Sequence, residues 1–339
     1  MVSCRAIIAN SEIGPKSVPD SQHSSDAVVL LPPVRGRLTD RSLQRWLSRG
    51  RLETARAPVD PLAEVLRAIG RDYPGEGVAA LRMWGQTGER PGAWVAAAEP
   101  VYMEPRLDRL FLHVLGPGDV SGPELQRLFD TLQETLGRDG TLGFARIGSC
   151  GYICSEQPMV TPGTSAAELD GQNPEGALPP ADVAADTLNL LSEIEMTLHA
   201  QPLNAERLTA GRSPVNSLWL WGGGYAPAPG TGELPLLFGG EPLLRGYWAS
   251  ADASAEPWPG TLAACFDAAP GGFVAHVPPA SGASAALDSD LAALRDALRR
   301  GRLDSAVLVT ADGLRATLRR SDRLRVWRRK ARLLEAPTA

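Results

Sequence analysis

Residues 215–224 read Val-Asn-Ser-Leu-Trp-Leu-Trp-Gly-Gly-Gly, and this segment restricts the fold more than any other. At strand periodicity Ser217, Trp219 and Trp221 share one face, while Asn216, Leu218 and Leu220 share the other. Both faces are mainly apolar, as in a strand buried within a sheet that is covered on both sides. Three glycines then let the backbone turn sharply or admit a close neighbour. Open α/β sheets often bind ligands where a strand runs into a glycine-rich turn. A core strand ending in a plain turn fits the same residues.

Other short runs extend this pattern. Ala27–Leu31, Phe273–Val277 and Ala306–Val309 are apolar throughout, as strands of a parallel sheet layered by helices are. Leu62, Val65, Leu66 and Ile69 fall at helical spacing, as do Leu287, Leu291, Leu294 and Leu298. A longer helix is expected over about 181–199, with Pro202 just past it. Residues 92–155 differ: Trp94–Ala97 and Leu110–Val114 read as strands. A helix carrying Leu125, Leu128, Phe129, Leu132 and Leu136 follows, then a strand or hairpin over Phe144–Cys154. Near the C-terminus, Leu324 and Val326 alternate with arginines around Ser321-Asp322 and predict an edge hairpin. The expected organisation is a flexible tail (1–25), an α/β core (26–90 and 181–339) and an inserted α+β subdomain with its return loop (91–180).

Composition excludes more than it assigns. A net charge of -5 argues against nucleic acid as the main partner. No apolar stretch approaches the roughly 20 residues needed to cross a bilayer, so no membrane partner is expected. The N-terminal residues are polar, without the apolar core of a secretion signal. The four cysteines, Cys4, Cys150, Cys154 and Cys265, show no disulfide framework, and a cytoplasmic location is expected. Cys150 and Cys154, four apart in a strand, have α-carbons roughly 13 Å apart and cannot bridge.

The usual catalytic templates are missing. The four histidines, His23, His113, His199 and His276, have no metal-type spacing, and no phosphate-binding loop, nucleophile elbow or zinc-protease helix occurs.

The stretch Arg212 to Gly224, followed by Glu233-Leu-Pro-Leu-Leu-Phe and Leu243-Leu-Arg-Gly, resembles the archaeal-type cofactor-independent phosphoglycerate mutases. The likeness is closer to bacterial mutase-like proteins, some labelled RpfE-type regulatory proteins. That group shares Glu195-Met196, Pro202-Leu-Asn204 and Arg207 ahead of Val215-Asn216-Ser217. The strong match covers about residues 190–250, with weaker similarity over 94–112 and 271–327. The resemblance implies an α/β, alkaline phosphatase-like fold: a mostly parallel sheet with helices on both faces and an inserted α+β subdomain. It also implies phosphoryl transfer on two divalent metals held by aspartates and histidines.

The chain departs from that pattern at the ligand positions. Pro32 and Pro33 stand where an aspartate is expected after the first strand. Ser281 and Ala285 stand in the second cluster, and Gly313 replaces the histidine beside Asp312. One carboxylate alone does not hold a metal pair.

Three functions follow as alternatives. The first is a non-catalytic, regulatory or phospho-ligand-binding relative with no cofactor and no assigned catalytic residue. Its ligand-binding residues would be Asn216, Trp219, Trp221, Gly222, Gly224 and Arg245, its partner a phosphorylated small molecule or a protein. The second is an active mutase or phosphohydrolase with an altered set of Mn or Zn, Asp312 being one ligand. The third is an interaction module that adds a partner strand to the edge of the inserted subdomain.

Overall fold

The computed structural model describes residues 26–54, 58–230, 232–279 and 284–325. The expected tail (1–25), with His23 and Cys4, lies outside them, as do Ser281, Val326 and Arg329. The chain divides into two compact units, Pro74–Ala228 and the residues before and after it.

The larger unit holds a seven-stranded, mostly parallel sheet. Its strands are β1 (Asp26–Leu31), β2 (Arg51–Thr54), β8 (Leu236–Phe238), β9 (Ala255–Glu256), β10 (Gly272–His276), β11 (Ser305–Thr310) and β12 (Leu314–Arg319). The order across the sheet is β2-β12-β11-β1-β10-β8-β9. β1 runs parallel to both β10 and β11, with Leu30 opposite His276 on one side and Val309 on the other. β12 and β2 are antiparallel additions. The three apolar runs singled out in sequence are thus its three central strands. Alternate residues of β1 explain why no polar face exists. Ala27, Val29 and Leu31 pack with helices α1 (Arg41–Leu47), α8 (Leu262–Ala268) and α9 (Ser284–Arg300). On the other side, β1 touches α2 (Pro61–Ile69), which packs on α7 (Pro242–Ser250).

The smaller unit is built on an antiparallel sheet. It contains α3 (Val78–Thr87), β3 (Trp94–Arg106), β4 (Arg109–Val114), α4 (Gly122–Leu136), β5 (Leu142–Ile147) and β6 (Cys150–Ser155). It then adds α5 (Ala185–His199), α6 (Pro202–Thr209) and β7 (Ser217–Gly224). β3 is long enough to pair β6 and β4 in succession along one side and β7 along the other. Helix α4 starts where its sequence says it should, because Ser121 and Glu124 form a reciprocal capping box ahead of the apolar stripe. That stripe packs with Leu190, Ile194 and Leu198 of α5 and with Leu218 and Leu220 of β7.

One expectation needs correction. β7 belongs to the smaller sheet, and α3, α5 and α6 belong to that unit, so it extends over 74–228 rather than 91–180. An apolar-on-both-faces strand tells that it is covered, not which sheet it joins. The return strand of the expected C-terminal hairpin about Ser321-Asp322 lies outside the described residues. The chain leaves β12 in a 3-10 turn (Arg320–Leu324), in which the Asp322 carboxylate accepts from the Arg319 backbone N–H at 2.9 Å. Among the described residues no helix is long and apolar enough to cross a membrane. Cys150, Cys154 and Cys265 are free thiols.

Candidate functional site

The glycine-ended strand is tied down at almost every residue. Asn204 donates to the carbonyls of Leu198 and Val215 and accepts from Val215 N–H, each at 2.8 Å, which fixes the approach to β7. Asn216 brackets Met103: its Oδ1 accepts from the backbone N–H at 2.7 Å and its Nδ2 donates to the carbonyl at 2.9 Å. Ser217 donates to Glu195 at 2.9 Å, and the Trp219 indole donates to the Thr164 carbonyl at 2.9 Å. Arg207, 1% exposed, donates to the carbonyls of Ser213 and Asp119 and to Glu124. Glu124 is held down to about 2 despite its burial, because Ser121 N–H and Arg212 stabilise its charged form.

The glycines serve the same end. The β3–β7 register shifts at this point, and Gly222 takes up a left-handed φ of 62°, so a bulge forms. Gly222 N–H donates to the Pro162 carbonyl at 2.8 Å and Gly223 N–H to the Thr161 hydroxyl at 2.9 Å. A side chain at Gly223 would overlap Trp94 and Thr161, and one at Gly224 would overlap the Gly77 backbone. Of the six expected ligand residues, Asn216, Trp219, Gly222 and Gly224 therefore have structural partners that account for them. Arg245 lies half-buried on α7 of the other unit.

Trp221 differs. It stands in register with Ala97 of β3, which in turn is opposite Tyr152 of β6. The small Ala97 leaves a slot between two aromatic rings, and Arg82 of α3 fills it. Its guanidinium carbon is 5.0 Å from the Tyr152 ring centroid and 5.5 Å from that of Trp221. Arg82 Nε donates to the Tyr152 hydroxyl and Nη1 to Glu99, both at 3.0 Å. Burial opposes the cation, but Tyr152 and Glu99 outweigh it and the Arg82 pKa is raised. Burial likewise pushes the Tyr152 phenol up. Arg82, Glu99 and Tyr152 escaped sequence reasoning. The available signal was a single charge inside each of two apolar runs, Val78–Trp84 and Trp94–Val101.

The second place is the carboxyl end of the parallel sheet. Asp312 sits in the tight turn between β11 and β12, where Gly313 has a φ of 77°. One oxygen of its carboxylate accepts from the backbone N–H groups of Val34 and Arg35 at 3.1 and 2.8 Å. The other accepts from the Thr310 hydroxyl. Asp312 thus pins the Pro32–Arg35 loop after β1 to the turn after β11. Nearby, His276 ends β10, and burial lowers its pKa, which favours the neutral ring. Among the described residues no group of three or more His, Cys, Asp or Glu is placed to hold a metal. Ala285 is exposed on α9.

No family model matches the chain. A probable 2,3-bisphosphoglycerate-independent phosphoglycerate mutase of Geobacter sulfurreducens is 25% identical over 225 residues, 56% of this chain and 54% of that protein. The corresponding mutases of Methanosarcina acetivorans and Methanosarcina mazei are each 28% identical over 112 residues, 32% of this chain and 28% of theirs. The chain thus spans about half the length of the first of these curated relatives and under a third of the others. Two solved structures are similar along most of the chain. A cofactor-independent phosphoglycerate mutase from Thermoplasma acidophilum has a TM-score of 0.41 at 17% identity, covering 87% of this chain and 89% of its own. A Pyrococcus horikoshii protein has a TM-score of 0.47 at 12% identity, covering 88% of both chains. The chain is distantly similar to cofactor-independent phosphoglycerate mutases.

Proposed function

We propose that this chain is a mutase-like protein that carries out no metal-dependent phosphoryl transfer and acts by binding a small anionic metabolite, in a regulatory role. The observation that carries this reading is the state of Asp312. Its carboxylate already accepts three hydrogen bonds from its own chain, and the amides of Val34 and Arg35 take up the oxygen that a cation would need. A divalent pair requires several converging oxygen or nitrogen ligands. The residues around Asp312 supply backbone N–H groups, which repel a cation. The metal pair that the mutase resemblance implies therefore does not fit here, and Mn or Zn chemistry has no route through these side chains.

β-Strand addition to the smaller sheet is the weaker reading, because its outer strands already have partners. Leu112 of β4 bridges Gln172, Phe144 N–H of β5 donates to the Gln133 side chain, and Gly222 of β7 donates to Pro162.

Metal analysis of the purified full chain, with a coupled assay on 3-phosphoglycerate with and without manganese, tests the proposal. Expected are no stoichiometric metal and no turnover. Bound metal together with turnover that Asp312→Ala abolishes would overturn it.

A further inference from the structure

We propose that Nη2 of Arg82 and the indole Nε1 of Trp221 form the donor pair of a binding site for a small carboxylate. The site deepens the binding role above and rests on it. Both atoms are buried and have no hydrogen-bond partner among the described residues. They belong to neighbouring groups, the Arg82 guanidinium carbon lying over the Trp221 ring at 5.5 Å from its centroid. Trp221 is only 8% exposed, so bulk water does not satisfy its N–H.

The rest of the cluster is paired. Arg82 Nε is bonded to Tyr152 and Nη1 to Glu99. The Tyr152 hydroxyl donates to Gln86 at 2.6 Å, so its proton is taken. What remains is an excess of donors, and proteins seldom leave buried donors unmatched without a use for them. The complement of unmatched donors is a group that only accepts. A carboxylate fits; an ammonium or a metal cation does not.

Glu99 narrows the class further. Its carboxylate lies 3.0 Å from the same guanidinium and neutralises it. A phosphate dianion would meet that negative charge, while a singly charged carboxylate meets it least. The cluster reaches the surface at Arg82 and Glu99, whose side chains are 14% and 21% exposed.

Thermal unfolding of the full chain in sodium acetate, glycerate and inorganic phosphate, at matched ionic strength with chloride as control, tests this. Glycerate and acetate are expected to raise Tm. Trp221→Phe keeps a ring over Arg82 and removes the N–H, so it should weaken glycerate binding about tenfold or more. Its unliganded Tm should stay level or rise, because an unmatched donor has gone. Glu99→Gln should tighten binding. No carboxylate effect on the parent chain, or an equal effect on Trp221→Phe, overturns the site. Stabilisation by phosphate alone overturns the carboxylate assignment. If the site fails while metal and turnover are both absent, the non-catalytic reading stands without it; turnover on bound metal removes that reading whatever glycerate does.

Discussion

The end of β7 and the end of β1 are both places where a strand runs into a loop, and they are closed by different means. At β7 the closure is made by backbone on backbone. The strand bulges at its glycines, the amides of Gly222 and Gly223 are taken by Pro162 and Thr161, and Gly77 packs against Gly224. At β1 the closure is made by one side chain, Asp312, which reaches two amides of the loop after the strand. Backbone closure demands particular residues, since only glycine fits. Side-chain closure demands an acceptor and little else. The difference explains why the most recognisable stretch of sequence is a packing device, while at the end of β1 the Asp312 carboxylate serves as a staple.

Breaking the first closure should have the largest effect. Gly224→Ala places a methyl against the Gly77 backbone at a φ of 155°, and backbone cannot rotate away as a side chain can. A loss of about 3–5 kcal/mol in urea unfolding is expected from overpacking and strain together. Gly240→Ala, in the larger unit, meets nothing within 4 Å and should stay within about 0.5 kcal/mol of the parent. Equal losses in the two variants would mean that close approach at Gly224 is not what selects glycine.

Next in size is acid. Glu124 is buried between Arg207 and Arg212 beside the residues leading into β7, and its folded pKa of about 2 lies below the ordinary carboxylate value. A depressed pKa contributes stability that is present above the unfolded value of about 4.5 and lost as pH falls toward 2. On the order of 2–3 kcal/mol should disappear across that window, with half-exposed Arg212 screened by water. Glu124→Gln should flatten this part of the pH profile of stability; an unchanged slope would remove Glu124 as its source. Asn216→Ala follows at about 2 kcal/mol, because both backbone groups of Met103 lose their partner.

How much of this was legible follows the same division. The apolar runs of β1, β10 and β11 and the stripes of α2, α4 and α9 are period signals, and each element stands where they indicated. The sheet to which β7 belongs was not legible. Trp219 and Leu218 report burial on their two faces, but neighbours are fixed by pairing with β3, some 120 residues away in sequence. The same holds for the Arg82 slot. It depends on Tyr152, Ala97 and Trp221 meeting across three strands, a coincidence of register that no local pattern carries. The boundaries at 74 and 228 were not legible for that reason too, since α3 joins the smaller unit through contacts with β3 and β7 rather than by any composition shift.

The smallest expected effect is the sharpest test of the second closure. In Asp312→Asn the carboxamide oxygen can keep both amide bonds from Val34 and Arg35. The Thr310 hydroxyl can then accept from the new NH₂ and donate to the Leu314 carbonyl, which already lies 3.3 Å from it. A staple therefore tolerates asparagine, at a cost below about 1 kcal/mol, whereas Asp312→Ala orphans two amides and should cost about 1–3 kcal/mol. A metal ligand behaves otherwise, because losing the negative charge weakens the site even when the oxygen stays in place. Thermal melts of the two variants with and without added manganese separate the cases. If asparagine melts like the parent and manganese moves neither curve, Asp312 acts through hydrogen bonds alone. A manganese-dependent rise in the parent that asparagine loses would mean that the end of β1 is closed by chemistry after all, and the contrast with β7 would fall.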